Sequence, residues 1–187
     1  MANRNTQGFG LVPAGTLGST PATSGTGKYK IDAGYATTIF QGGAVSSSAG
    51  YIVEGQGTAD NPMIGVLNGI FYNAATTLKP TFANHYVQVT PANSEDIDAF
   101  VFDNPQQQYV CATDDSVAQA GYLETYDFNT SAGSTTTGKS SATLNIGVTG
   151  NDDKSFRLLR SAEDPENDEN AAFRSVVVVA NLIELQS

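Results

Sequence analysis

Gly133-Ser-Thr-Thr-Thr-Gly138-Lys139-Ser140 decides the fold class, because it spells a phosphate-binding loop. A G-x-x-x-x-G-K-[ST] loop holds a nucleotide only when a buried strand delivers it and a helix carries it away. The helix supplies free N–H groups and the positive end of its dipole. Neither flank fits. Upstream, Tyr122-Leu-Glu-Thr-Tyr-Asp-Phe-Asn-Thr-Ser131 is polar and interrupted. Downstream, Leu144, Ile146 and Val148 alternate with Asn145 and Gly147, the period of a strand and not of a helix. The apolar run best placed to end in a Mg²⁺-holding Asp, Val176-Val-Val-Val179, ends in Ala180-Asn181. The segment therefore reads as a Gly/Thr loop between strands with no nucleotide role, and no cofactor is expected.

Outward from that loop the chain reads as β. Lys28–Ile31, Thr37–Gln41, Gly50–Glu54, Met63–Leu67, Gly69–Tyr72 and His85–Thr90 are short β-branched or aromatic runs. So are Ala99–Phe102, Gln108–Ala112, Leu144–Val148, Phe156–Arg160 and Val176–Leu185. Asn68-Gly69 predicts a hairpin turn, and Asp103-Asn104-Pro105 a second turn. Asp114–Ala120 is the one stretch with room for a turn or two of helix. The expected fold is all-β, a compact barrel or sandwich.

Residues 1–27 differ in kind. Six glycines and two prolines accompany only four large apolar residues, Phe9, Leu11, Val12 and Leu17. That composition predicts a flexible, Gly/Thr/Pro-rich N-terminal arm, ordering on a partner, ahead of a single β domain over 28–187. No apolar h-region opens the chain and no run reaches bilayer-spanning length, which predicts a protein made and used in a reducing compartment, or one that leaves it by a route other than secretion. A single cysteine, Cys111, agrees.

Of 187 residues, 19 are acidic and 9 basic, for a net charge of −10. Such a surface repels nucleic acid and anionic membranes, so neither is an expected partner. The acids are unevenly placed. None precedes Asp32, where the only charges are Arg4, Lys28 and Lys30, whereas seven lie between Asp152 and Glu169.

Chemistry-bearing constellations are sparse. The one histidine, His85, has no HxH, HExxH or CxxC companion. No Gly-x-Ser-x-Gly elbow presents a nucleophile. Asp96 and Asp98 fall on one side of a strand, where a Ca²⁺ site or an acid/base pair is conceivable. Glu163–Asn170 is rich in oxygen ligands but lacks the glycine of an EF-hand loop, so it reads as a solvated acidic loop. Enzymatic activity is not expected. Phe9 and Tyr29, beside the arm, are candidate interface anchors.

Taken in order, several segments carry a resemblance. They are the Gly/Pro-rich start, Lys28-Tyr-Lys-Ile31, Thr38-Ile-Phe-Gln-Gly-Gly-Ala-Val45, Ile64-Gly-Val66 and Phe71-Tyr72. Val101-Phe-Asp-Asn-Pro105, Ser134–Ser140, Phe156-Arg-Leu-Leu159 and Asp164-Pro-Glu-Asn167 complete the series. In this series the chain resembles the head-decoration, or capsid cement, proteins of tailed bacteriophages. It departs from their pattern at Gly43-Ala44, where Asp-Pro is usual, and at Asn104, where a second Asp is usual.

The resemblance implies a virion structural protein on the outer capsid surface, made in the host cytoplasm. Its partners would be the major capsid protein at capsomer junctions and other copies of itself, a trimer before a dimer. The implied capsid-contact residues are Arg4, Phe9, Leu11, Lys28, Tyr29 and Lys30. A tail or fibre component binding a host-surface glycan is the alternative, present in tens of copies per particle and not hundreds.

Overall fold

The computed structural model describes residues 3, 5–18, 25–55, 62–129, 133–149, 154–163, 165–168, 170–181 and 183–186. These residues form strands β1 (Val12–Thr16), β2 (Gly27–Ile31), β3 (Ala44–Ser48), β4 (Tyr51–Glu54) and β5 (Gly65–Asn73). β6 (Pro80–Ala83), β7 (Ile97–Phe102), β8 (Gln107–Ala112), β9 (Thr125–Asn129) and β10 (Gly133–Ser134) follow. β11 (Lys139–Ser140), β12 (Thr143–Thr149), β13 (Phe156–Ser161) and β14 (Ser175–Ala180) complete them. The protein is nearly all β, a sandwich-like arrangement of antiparallel sheets.

One sheet runs β1-β8-β14-β13-β9-β12; the other runs β2-β7-β5-β3-β4, with β6 paired to β5. β10 and β11 make a separate small hairpin. In β14 the four valines alternate faces. Val176 and Val178 enter the core between the sheets with Cys111, Phe156 and Leu158. Val177 and Val179 are buried on the opposite face, where the register sets Arg160 and Arg157 beside them. Long arginine stems cover apolar surface while their heads stay wet.

The first three residues of β3 and of β5 are buried on both faces, and their period of two separates two cores. Ala44 and Val66 join the inter-sheet core, whereas Val45 and Leu67 join a second core with Ile31, Ile52, Ile70 and Tyr86. The second sheet curls around that second core, bringing β2 near β4. The Tyr35 hydroxyl accepts the Glu54 N–H at 2.9 Å, and the Tyr51 hydroxyl donates to Asp96 at 3.3 Å.

Several local expectations change. Asn68-Gly69 is no turn: β5 passes straight through with a bulge between Leu67 and Gly69, because both flanks pair continuously with β7. His85–Thr90 makes one isolated bridge, Tyr86 to Ile39, in place of a strand. The last strand stops at Ala180, and Asp114–Ala120 reaches only a short 3-10 turn at Gln119–Gly121. The Asp103-Asn104-Pro105 turn is present, with the Gln107 N–H donating to the Asn104 carbonyl at 3.0 Å.

The arm expected over 1–27 is described in part. Its described part does not stand off the domain. β1 pairs along β8 from Val12 to Thr16, and Leu11, 1% exposed, lies in the inter-sheet core. Before it, the Asn3 amide donates to the carbonyls of Ala171 and Ala172 at 3.2 and 2.8 Å, and the Asn5 amide to the Ser175 hydroxyl at 2.9 Å. Few large apolar residues suffice here, because one leucine and a ladder of backbone bonds complete an edge that β8 already offers.

Candidate functional site

The phosphate-loop look-alike is a tight hairpin, β10 to β11, and no helix follows it. Its glycines serve packing. Gly138 sits at φ +71°, and a Cβ there would fall 2.1 Å from Asn84 Oδ1 and 2.4 Å from His85 Nδ1. A Cβ on Gly133 would fall 2.3 Å from the Phe40 ring. The hairpin thus lies against Phe40, Asn84 and His85. The His85 ring stacks on Phe40 at 6.1 Å, and the Asn84 amide donates to the Thr137 carbonyl at 2.8 Å.

Beside this hairpin, backbone bonds bring remote segments together. The Gln41 N–H donates to the Gly138 carbonyl at 2.9 Å, the Leu11 N–H to the Gly42 carbonyl at 2.8 Å, and the Gly42 N–H to the Leu67 carbonyl at 2.9 Å. Where they meet lies a groove of about 390 Å³. Its apolar wall is Phe9, Leu11, Val12, Pro13, Leu67 and Phe102; Gln41, Asn68 and Lys139 supply the polar end. Four segments that carry the family resemblance converge on it: the Gly/Pro-rich start, the Ile-Phe-Gln-Gly-Gly stretch, Val101–Pro105 and Ser134–Ser140. Val12 is 48% exposed beside it.

The sequence-derived contact candidates separate accordingly. Phe9 lines the groove, half-buried. Leu11, a buried core residue, also lines the groove. Tyr29 is partly buried. It faces the second core, and its hydroxyl donates to Asp103 at 2.8 Å. Burial and that bond push its pKa up to about 12. Lys28 and Lys30 point outward from β2 and pair with Asp98 at 2.8 and 2.6 Å. Arg4 lies outside the described residues.

The acids considered for chemistry are occupied structurally. Burial raises the Asp98 carboxyl, but Lys28 and Lys30 more than offset it and hold it below the usual carboxylate value. Asp96 accepts from Tyr51. Among the described residues no group of three or more His, Cys, Asp or Glu is placed to hold a metal. In the acidic loop, Asp164 and Glu169 lie outside the described residues. Asn167 ties the loop down, donating to Ser161 Oγ and the Ala162 and Ser175 carbonyls and accepting the Ser175 N–H. The Cys111 thiol is fully buried, and burial pushes its pKa far up, so thiolate chemistry is suppressed. No described helix is long and apolar enough to cross a membrane.

The chain matches no protein-family model, no curated protein and no solved structure. Fold and site together define an all-β protein with an apolar groove built from segments far apart in sequence.

The groove residues Gln41, Asn68, Phe102 and Lys139 were within reach of the sequence only as motif letters. What assembles them is long-range pairing. Their sole sequence signal was that three of the four fall in stretches on which the expected resemblance rests.

Proposed function

We propose that this protein decorates and cements the mature icosahedral capsid of a tailed bacteriophage, binding the major capsid protein. The observation that carries the reading is the convergence of four resemblance-bearing segments on one groove. The occupant that this supports is an extended apolar segment of the major capsid protein. The apolar wall would bury its side chains, while Lys139 would meet an acidic group at the polar end.

The mechanism is mass action. A protein that binds only the expanded lattice stabilises it by its binding free energy, repeated over many symmetric copies. The charge of −10 suits an outer surface that keeps particles soluble and mutually repelling.

The test is binding of purified protein to expanded capsids that lack it, comparing the native chain with Phe9→Ala and Val12→Asp. Saturation at a fixed ratio to the major capsid protein, weakened about tenfold or more by either change, is expected. No binding to expanded shells sinks the reading.

A further inference from the structure

The outer face of the second sheet carries a different surface. Ile70 on β5 and Ile97 and Ala99 on β7 belong to the second core, so alternation turns Phe71 and Asp98 outward. Register then lays a row across four strands: Phe82 on β6, Phe71 on β5, Asp98 on β7 and Lys30 on β2. One end of the row is aromatic. The Phe71 and Phe82 rings lie 4.7 Å apart, and Phe82 is 74% exposed.

The other end is polar. A depression of about 250 Å³ starts at Phe71 and takes in Asn73, Asp96, Asp98 and Lys30, with Pro91 and Glu95 completing its wall. Two of its groups are already fixed by neighbours. Lys28 and Lys30 hold the Asp98 carboxylate at 2.8 and 2.6 Å, and the Tyr51 hydroxyl donates to Asp96 at 3.3 Å. Two others are unengaged. Among the described residues the Asn73 side-chain amide and the Glu95 carboxylate have no hydrogen-bond or ion-pair partner.

One hollow thus joins an exposed phenyl face to an amide that both donates and accepts, an ammonium and two carboxylates that accept. A pyranose ring has the matching chemistry: an apolar C–H face for the phenyl ring, and a rim of hydroxyls that donate and accept. Charge narrows the choice. Lys28, Lys30 and Lys79 balance Glu95, Asp96 and Asp98 on this face, but the chain carries −10 overall and the unpaired charges of the hollow are carboxylates. An acidic sugar is repelled there, and a neutral one is not. A metal ion fits less well, since no three acids among the described residues converge on one point.

We infer that this face binds neutral sugars, as the pyranose units of an oligosaccharide. One ring stacks on Phe82, and hydroxyls reach Asn73, Asp96 and Glu95 in the hollow. Asp98 acts indirectly, by holding Lys30 in place. The site is separate from the groove and does not rest on the capsid reading.

The test is an NMR titration of the isotope-labelled full chain with maltotriose, cellotriose, lactose, chitotriose and mannotriose. Sialyllactose and trigalacturonate serve as acidic counterparts, and spermidine as a cationic one. At least one neutral sugar should bind with a Kd of about 0.1–5 mM, shifting the amides of Phe71, Asn73, Phe82 and Glu95. Phe82→Ala and Asn73→Ala should each weaken it about tenfold, and Phe82→Ala should leave the thermal midpoint unchanged. Glu95→Lys should admit the acidic counterparts that the native chain excludes. The inference is overturned if no neutral sugar shifts these amides at about 20 mM, well above the expected Kd. It falls equally if binding ignores Phe82→Ala, or if an acidic sugar or spermidine binds this face as well as the neutral ones. Should Phe82→Ala abolish binding to expanded shells while no sugar binds, the face belongs to the capsid partner; the inference then falls and decoration stands.

Discussion

At the scale of single residues, three positions show how a side chain's surroundings override its type. Gly138 stands in a motif that spells nucleotide binding, but its positive φ and the nearness of Asn84 and His85 make it a packing residue. Gly138→Ala should destabilise the protein by about 2 kcal/mol or more through strain and steric overlap, read as a fall in thermal midpoint. Lys139→Ala, one residue on and exposed, should change stability by less than about 0.5 kcal/mol. Loss of a measurable nucleotide affinity in that variant would revive the enzyme reading. Leu78 gives the opposite case. Leu78→Gly relieves the left-handed backbone and should stabilise the chain by about 0.5–1 kcal/mol, read as a rise in thermal midpoint.

Asp98 completes this scale, because its role fixes a pH dependence. Its carboxyl titrates lower in the folded chain than in the unfolded one, owing to Lys28 and Lys30. The stability it contributes is therefore present above the unfolded carboxylate pKa of about 4 and is lost as pH falls through the lower folded value. Asp98→Asn should flatten that acid limb of a stability-versus-pH curve. The loss at neutral pH should be only about 1 kcal/mol, since both lysines are half in water. An unchanged acid limb would show that the ion pairs are inert.

At the scale of elements, β1 is the strand whose place matters most. It is the edge of the first sheet, and it delivers Leu11 to the core. Leu11→Ala should cost about 2–4 kcal/mol, the usual range for emptying a buried leucine site, as measured by denaturant unfolding. Truncating residues 1–18 should lower stability further, because β8 then exposes an unpaired edge. Deleting the N-terminal stretch thus cannot separate partner binding from folding, and point changes at Phe9 and Val12 are the cleaner probes. β5 makes the complementary point. It is long enough to pair with β3 at one end, β6 at the other and β7 along its length, so it joins the inter-sheet core to the outer aromatic face.

At the scale of the whole molecule, the groove and the outer aromatic face are separate surfaces. The groove lies where the first sheet's edge meets the look-alike hairpin, and the balanced aromatic face lies on the outside of the second sheet. A strongly acidic chain can bind an acidic partner tightly only where local charges cancel or apolar area dominates, and the apolar wall of the groove meets that condition. With native protein at saturation, expanded shells should resist thermal disruption better, in proportion to occupancy. Val12→Asp at the same concentration should give little protection, whereas Phe82→Ser should leave the groove's intrinsic affinity intact.

Much of this was legible from residue order, because it rests on local physics. Alternating apolar residues, turn-forming dipeptides and the missing helix after Ser140 determined an all-β chain with no phosphate loop. Asp103-Asn104-Pro105 determined its turn. What required the tertiary structure was every choice among partners at long range. Asn68-Gly69 became a bulge and not a turn because β7 pairs across both sides of it. Leu11 became core because β8 had an open edge. Phe82, Phe71, Asp98 and Lys30 line up on one face because register across β6, β5, β7 and β2 aligns them. Local propensity weighs a few neighbouring residues, whereas register and strand order are settled by which distant pairing buries the most apolar surface without orphaning backbone hydrogen bonds.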